Sequence, residues 1–453
     1  MSARTLGVAG FGTFLAMMAY TAPLATLPAI AADLGAGVSA SSWIVAAMSV
    51  GFAVALVPTG ALGDDIGRRR VFTAGAVLLA LSCVLAAVAP DASVLIAARI
   101  VQGLGAAAVL ACGLALIGAA YPPGPARAGA TAWWGAMFGA GVAVGPLLMA
   151  LVQHGTSWRV TYGVLALLGL GLALAGPALL TESTLGRHRG VDAAGALLLA
   201  AGLGCLLTAL TEGRQGWGRP SVLVLLVAAA AFLAAFPVHQ LRARDPMIDL
   251  RAFRRPRLRS ATIGAFATGI GIIAISSYTP TLLQRGLGRG ALLSAVLLLA
   301  WSATSSAAAL AVRVLPERWS GTARLGGGLL LVALGLAALS GLSVTASPGR
   351  LVAGLVVAGI GTGVATATLG REAVASMPPD QAGTGSGINN TSRYVGAALG
   401  VTIVAALATG SRPATVVSGW NEACWVCAAA TLLGAALVVA SARVPATSAV
   451  APA

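Results

Sequence analysis

The chain has 453 residues, 58% of them hydrophobic and only 9% charged, whereas soluble domains carry about 25% charged residues. That composition excludes a soluble globular protein and predicts a chain embedded in a lipid bilayer with little mass outside it. A net charge of +15 would point to nucleic acid in a soluble chain; here it follows from cytosolic loops collecting cations, so no nucleic-acid partner is expected.

Taken in order, the apolar runs predict fourteen transmembrane helices, each near the roughly 20 residues that a bilayer core requires. The first six are Leu6–Ile30, Trp43–Leu62, Val71–Ala89, Val94–Ala120, Ala130–Val152 and Val160–Leu180. The first is too long for a cleaved signal peptide, and no Ala-x-Ala site follows it. After a polar loop, Thr181–Val191, come Ala193–Leu210 and Ser221–Val238. The cationic segment His239–Arg259 leads to the last six: Ala261–Leu283, Leu292–Val314, Leu325–Leu342, Leu351–Gly370, Gly385–Ala408 and Trp420–Ala440. The expected organisation is a six-helix bundle at 1–181, two inserted helices at 182–240, a cytosolic loop at 241–259, and a second six-helix bundle with a tail at 260–453. Tyr20-Thr21-Ala22-Pro23 in the first span and Tyr278-Thr279-Pro280 in the ninth echo one another, as two related halves would.

Charge tests this topology. With both termini cytosolic, nineteen arginines, Arg187, Arg189 and Arg318 among them, fall on the cytosolic side and seven on the outer side. That is a strong inner excess. Every basic residue is Arg, which, with the abundant Ala and Gly, reads as genomic composition. The cysteines all lie in apolar runs. Cys424-x-x-Cys427 sits inside the last span, where buried packing is expected, because a redox thiol needs a polar, exposed helix start. The histidines His154, His188 and His239 form no metal-ligand cluster. No metal, cofactor or nucleophile–base pair is expected, and the chain does not read as an enzyme.

Three stretches carry functional character. Gly60-Ala-Leu-Gly-Asp-Asp-Ile-Gly-Arg-Arg-Arg70 is a hydrophilic hinge between two apolar spans. Gly60, Gly63 and Gly67 permit a sharp turn, Asp64 and Asp65 suit a helix start, and Arg68, Arg69 and Arg70 hold the loop on the cytosolic face. In the fourth span, Arg99 stands within Arg99-Ile-Val-Gln102-Gly103. A charge at that depth costs about 2.5–3.5 kcal/mol or more. Two readings stand: it faces a polar cavity or acceptor, or it snorkels to the outer interface. The fifth span contains Gly141-x-x-x-Gly145-Pro146, a spacing that lets helices approach closely and bends the chain at the proline.

The order and placement of these motifs resemble the major facilitator superfamily, and within it the fourteen-span drug/proton antiporter branch. The resemblance implies an all-helical fold of two six-helix bundles with two inserted helices. It also implies a substrate site between the halves near the midplane. It makes Gly60, Asp64, Gly67, Arg68 and Arg69 gating residues, ties Arg99 and Gln102 to proton coupling, and makes Gly141, Gly145 and Pro146 the antiporter helix. The segment with Asp245-Pro246 and Asp249-Leu250 is similar to that branch's central loop, and Gly385–Gly400 to its thirteenth helix. This sequence departs from the pattern in three places. Ala19 stands where relatives carry an Asp in the first span, Asp65 where a basic residue follows Asp64, and Met149-Ala150 where a Gly-Gly pair follows the proline.

Candidate cavity residues are Tyr20, Thr21, Trp133, Trp134, Tyr278, Thr279, Trp301, Asn389, Asn390 and Arg393; aromatics also anchor helices at interfaces and pack in bundles. Amides and aromatics with little fixed charge suit an amphipathic or weakly polar substrate. No acid lies mid-span; Asp33, Asp64, Asp65, Glu372 and Asp380 stand near loops. The expectation is a monomeric efflux transporter of the cytoplasmic membrane. Small organic compounds and protons are its partners, and the proton gradient is its energy source. A proton-independent facilitator or importer and a non-transporting sensor are the alternatives.

Overall fold

The computed structural model describes residues 2–183, 192–214, 216–314, 319–408 and 412–443. Arg187, Arg189 and Arg318, expected as loop charges, lie outside them. The described residues contain helices and no strand, as a chain in lipid must pair its backbone groups internally.

The helices are α1 (Ser2–Thr21), α2 (Leu27–Asp33), α3 (Val38–Ile66), α4 (Arg68–Ala87), α5 (Ala92–Ala120), α6 (Pro125–Gly155), α7 (Trp158–Leu179), α8 (Ala193–Gly213) and α9 (Pro220–Arg242). They continue with α10 (Pro256–Thr268), α11 (Ala274–Thr281), α12 (Ala291–Ala311), α13 (Gly321–Ala338), α14 (Arg350–Ala375), α15 (Ala382–Leu407) and α16 (Pro413–Arg443). Their starts are chemically marked. Asp91 accepts from Ser93 N–H and Val94 N–H ahead of α5, and Ser320 from Ala323 N–H ahead of α13. Proline occupies the first turn of α6, α9 and α10, where its missing N–H costs nothing.

Thirteen segments are long and apolar enough to cross a membrane. The fourteenth expected span is α15, whose first half carries Thr384, Ser386, Asn389, Asn390 and Arg393. These make it too polar to count with the others, although 26 residues reach about 39 Å. It tolerates the polarity by being buried between α3 and α10.

Two spans differ from expectation. The first helix stops at Thr21, turns through Ala22–Leu24, and resumes as the short α2, because Pro23 and Pro28 each remove a backbone donor. The ninth span is longer than expected, Pro256–Gly286, and α10 and α11 are joined by a π-helical turn, Gly269–Ile273, with another at Leu282–Gly286.

One hydrophobic core is built mainly from α1 to α7 and a second from the Gly269–Ile273 turn through α16. The helices α8 and α9 pack on each other, and α8 lies against α3. Side chains such as Leu81, Leu167, Leu174, Val224 and Val227 are more than half exposed, an outer apolar surface fitted to lipid.

Candidate functional site

At the Gly60–Arg70 turn, α3 meets the start of α15. A Cβ on Gly60 would fall on Gly383 O, and one on Gly387 on Leu56 O, so glycine lets the two backbones touch. This contact brings the Asp64 carboxylate to the α15 N-terminus. It accepts from Gly383 N–H at 3.0 Å, Thr384 N–H at 2.8 Å and the Thr384 hydroxyl at 3.1 Å. Free N–H groups and the helix dipole both favour an anion there. Arg68, itself buried, pairs with Asp64 at 2.8 Å and donates to Pro379 O at 2.6 Å. The chain turns at Gly67, whose φ of 120° is a conformation that side chains resist. Glu182, not singled out from sequence, accepts the Arg69 N–H at 3.0 Å at the start of α4 and lies beside the Arg69 and Arg70 side chains. A lone acid after a span carries no spacing signal that would have marked it.

Arg99 does not snorkel. It is 0% exposed and donates to Ala19 O, Tyr20 O, Ile44 O and Gln102 Oε1 at 2.6–3.2 Å. The reason lies in α1. Ala19 O would bond the N–H four residues on, but that residue is Pro23, so the helix ends with a free carbonyl. Arg99 fills it and places a cation at a helix C-terminus. Where relatives are expected to carry an acid, this chain presents a backbone oxygen.

On α6, Cβ atoms at Gly141 and Gly145 would fall on Phe14 O and Met18 O of α1. The Thr21 hydroxyl bonds to Met17 O and Val142 O, tying the two helices together. Pro146 follows inside α6.

Between the two cores lies a central cavity. Of the predicted lining residues, Tyr20, Thr21, Trp301 and Arg393 border it. Trp133 lies on the surface against Gly10, and Trp134 packs on Gly370 and Phe138. The Tyr278 hydroxyl donates to Ala408 O, and Thr279 to Ile275 O; their neighbours Ser276 and Ser277 border the cavity instead. The Asn389 amide nitrogen donates to Ala261 O and that of Asn390 to Ser386 O, while the Oδ1 of each is buried without a partner; neither residue borders the cavity. Pro146 also borders the cavity, as do Met17, Phe138, Thr362, Thr366 and Tyr394, which sequence reasoning missed. The pair Thr362 and Thr366, one turn apart in an apolar span, was the readable signal.

The free volume is about 30 Å³, room for a water or two. Gln284 of the second core's helices reaches Ala25 O at the far end, so the halves meet on both sides of the cavity. A drug-sized ligand needs about 300 Å³ or more and enters only when the halves part. The walls are aromatic. Tyr20 meets Tyr394 edge-on at 5.6 Å, and Phe52, in the core behind them, stacks on Tyr394 at 4.5 Å. Arg393 is 1% exposed, with its guanidinium 5.0 Å from the Phe138 ring centre. None of its nitrogens has a hydrogen-bond acceptor. No Asp or Glu among the described residues borders the cavity.

Two helices joined across the halves at one end, with an aromatic cavity between the halves, define a membrane transporter, and the comparisons agree. The family model of the Major Facilitator Superfamily matches residues 9–401. The chain belongs to the major facilitator superfamily; it is a multi-pass membrane transporter and not an enzyme. It is 32% identical over 395 residues to the "Probable actinorhodin transporter" of Streptomyces coelicolor, covering 84% of this chain and 68% of that one. It is 30% identical over 413 residues to the "Multidrug resistance protein Stp" of Mycobacterium tuberculosis, with 91% and 77% covered. The "Puromycin resistance protein pur8" of Streptomyces alboniger is 31% identical over 394 residues, with 86% and 78% covered. The crystal structure of the human organic anion transporter MFSD10 superposes with a TM-score of 0.71 over 96% of this chain and 99% of that one, at 18% identity, a likeness of fold alone.

Proposed function

We propose that this protein exports small organic compounds across the cytoplasmic membrane by alternating access, in exchange for protons, as a monomer with both termini in the cytosol. One observation carries this reading. Asp64, on α3 of the first half, caps the N-terminus of α15 in the second half. A carboxylate on a helix dipole is a contact that rocking can break and remake, and it shuts the cytosolic end beneath the cavity. Gly60, Gly67, Arg68 and Arg69 shape that latch. The close α1–α6 contact at Gly141 and Gly145 holds the first half rigid as it rocks. The drug-resistance proteins among the relatives support the outward direction. In this reading Arg99 and Gln102 connect proton movement to the end of α1.

A second reading, a proton-independent facilitator, is favoured by the cavity's lack of an acid among the described residues and by Ala19. Purified protein in sealed vesicles, with a pH dye inside and a panel of cationic, neutral and anionic aromatic compounds, separates the two. Substrate-triggered proton movement supports exchange. Substrate flux with no proton movement selects the facilitator, and no flux of any compound defeats export.

A further inference from the structure

We propose that the central cavity takes organic anions, compounds with a carboxylate or acidic phenol on an aromatic body, and that Arg393 is the ligand of the anionic group. This rests on the export reading and names the substrate class of the same site. A guanidinium carries five N–H donors and stays charged. The Phe138 face attracts it but offers no lone pair. A side chain 1% exposed, with all three nitrogens lacking an acceptor, is matched by a ligand that brings one. Around it stand Tyr20, Tyr394, Phe138 and Trp301, surfaces for an aromatic body.

The surroundings agree. Next to the central cavity, and sharing Tyr20 and Ser277 with it, is a second pocket bordered by Arg214 at the end of α8, whose Nε also has no acceptor. Toward the Asp64 end, a vestibule of about 500 Å³ is bordered by Arg257, Arg313 and Arg371, with Glu372 as its acid among the described residues. It shares α14 with the central cavity, Thr368 bordering the vestibule and Thr366 the cavity. An anion thus meets cationic side chains at the mouth, the middle and the far pocket. Leaving an interior held negative, it also moves with the field, which favours export about 50-fold per 100 mV.

The test uses three matched probes, labelled 2-naphthoate, 2-naphthylmethanol and 2-naphthylmethylammonium, with the full-length protein in phosphatidylcholine vesicles. The expected result is that the acid binds at least about tenfold tighter than the other two. Arg393→Gln is expected to abolish that preference and Arg393→Lys to retain part of it, both variants eluting as folded protein. Equal affinities, a preference for the ammonium, or a preference surviving Arg393→Gln overturns the inference. So does displacement of the acid by added phosphatidylglycerol, which would make a lipid headgroup the occupant. Flux of the alcohol or ammonium without acid preference leaves export standing and this inference overturned; no flux of any probe defeats the export reading itself.

Discussion

Arg99 and Arg393 are buried to the same degree, 0% and 1% exposed, in helices α5 and α15 of opposite halves, yet they live in opposite surroundings. Arg99 has four acceptors, two of them backbone carbonyls where α1 ends and a third on α3. Arg393 has an aromatic face and no acceptor. Depth alone therefore does not tell what a buried charge does. The first completes the fold, because a proline-broken helix would otherwise leave bare carbonyls in an apolar core. The second weakens the fold, since an unpaired charge in low dielectric is unfavourable, and a position that is costly to keep is one that function explains.

The largest expected effect breaks this comparison directly. Arg99→Ala strips the Ala19 and Tyr20 carbonyls of their donor, removes the added bond to Ile44 O within α3, and should destabilise by about 3 kcal/mol or more, read as a fall of at least about 5 °C in the thermal midpoint in detergent; an unchanged midpoint would mean that the carbonyls find other partners. The opposite sign is expected at the other arginine. Arg393→Met replaces an uncompensated charge with an apolar chain of similar length and should leave stability equal or raise it by about 1–4 kcal/mol, in the same melting experiment. If both variants fall equally, the two arginines are structural alike.

A third contrast lies between the cavity and the latch. Asp64→Asn keeps one carbonyl oxygen for the α15 N-terminus but loses the charge that Arg68 and the helix dipole hold. Insertion and folding should persist while transport falls about tenfold, measured as substrate flux in vesicles; near-normal flux would remove Asp64 from gating.

The smallest effect concerns an anion outside the spans. Asp192 precedes α8. Burial alone would push its carboxyl up, but the Gly195 N–H, His239, the Met247 N–H and Gln240 together hold it below its usual value. A lowered folded value means that its stabilisation is present above the ordinary carboxylate range near 4 and is lost as pH falls through the folded value. Acidification from pH 7 to 3 should therefore lower the melting midpoint of the wild type by more than that of Asp192→Asn, and equal pH dependence of the two midpoints would remove Asp192 from the stability of the α8 start.

Much of the fold was legible in the chain itself. Hydropathy located the spans because lipid demands about 20 apolar residues per crossing, and that demand is local. The Gly60–Arg70 stretch was readable as a turn because Gly67 acts on its own backbone. Gly60, Asp64 and Arg68 act instead on α15 and the Pro379 carbonyl, and the two acids stand at the end of α3 where a helix start was expected. The first span was misjudged at its end, since an apolar count does not register that Pro23 removes a donor from a helix that still looks hydrophobic. The ninth was misjudged in length, and nothing local marked its π turns, the first of which lies against α15, where a Cβ on Gly269 would fall on Arg393 O, and the second against α16.

Site residues divided along the same line. Residue type drew attention to Tyr20, Trp301 and Arg393, but equally to Trp133, Asn389 and Asn390, whose side chains face elsewhere. Which face of a helix meets the cavity depends on rotation against distant neighbours, so Ser276 and Ser277 border it where Tyr278 and Thr279 do not. Composition, the positions of the spans and the chemistry of the turn were determined by the sequence alone. Only the tertiary structure decided that Asp64 meets Thr384, 320 residues away, that Arg99 is satisfied and that Arg393 is not. A side chain's acceptors come from other helices, and no local pattern specifies what those helices bring.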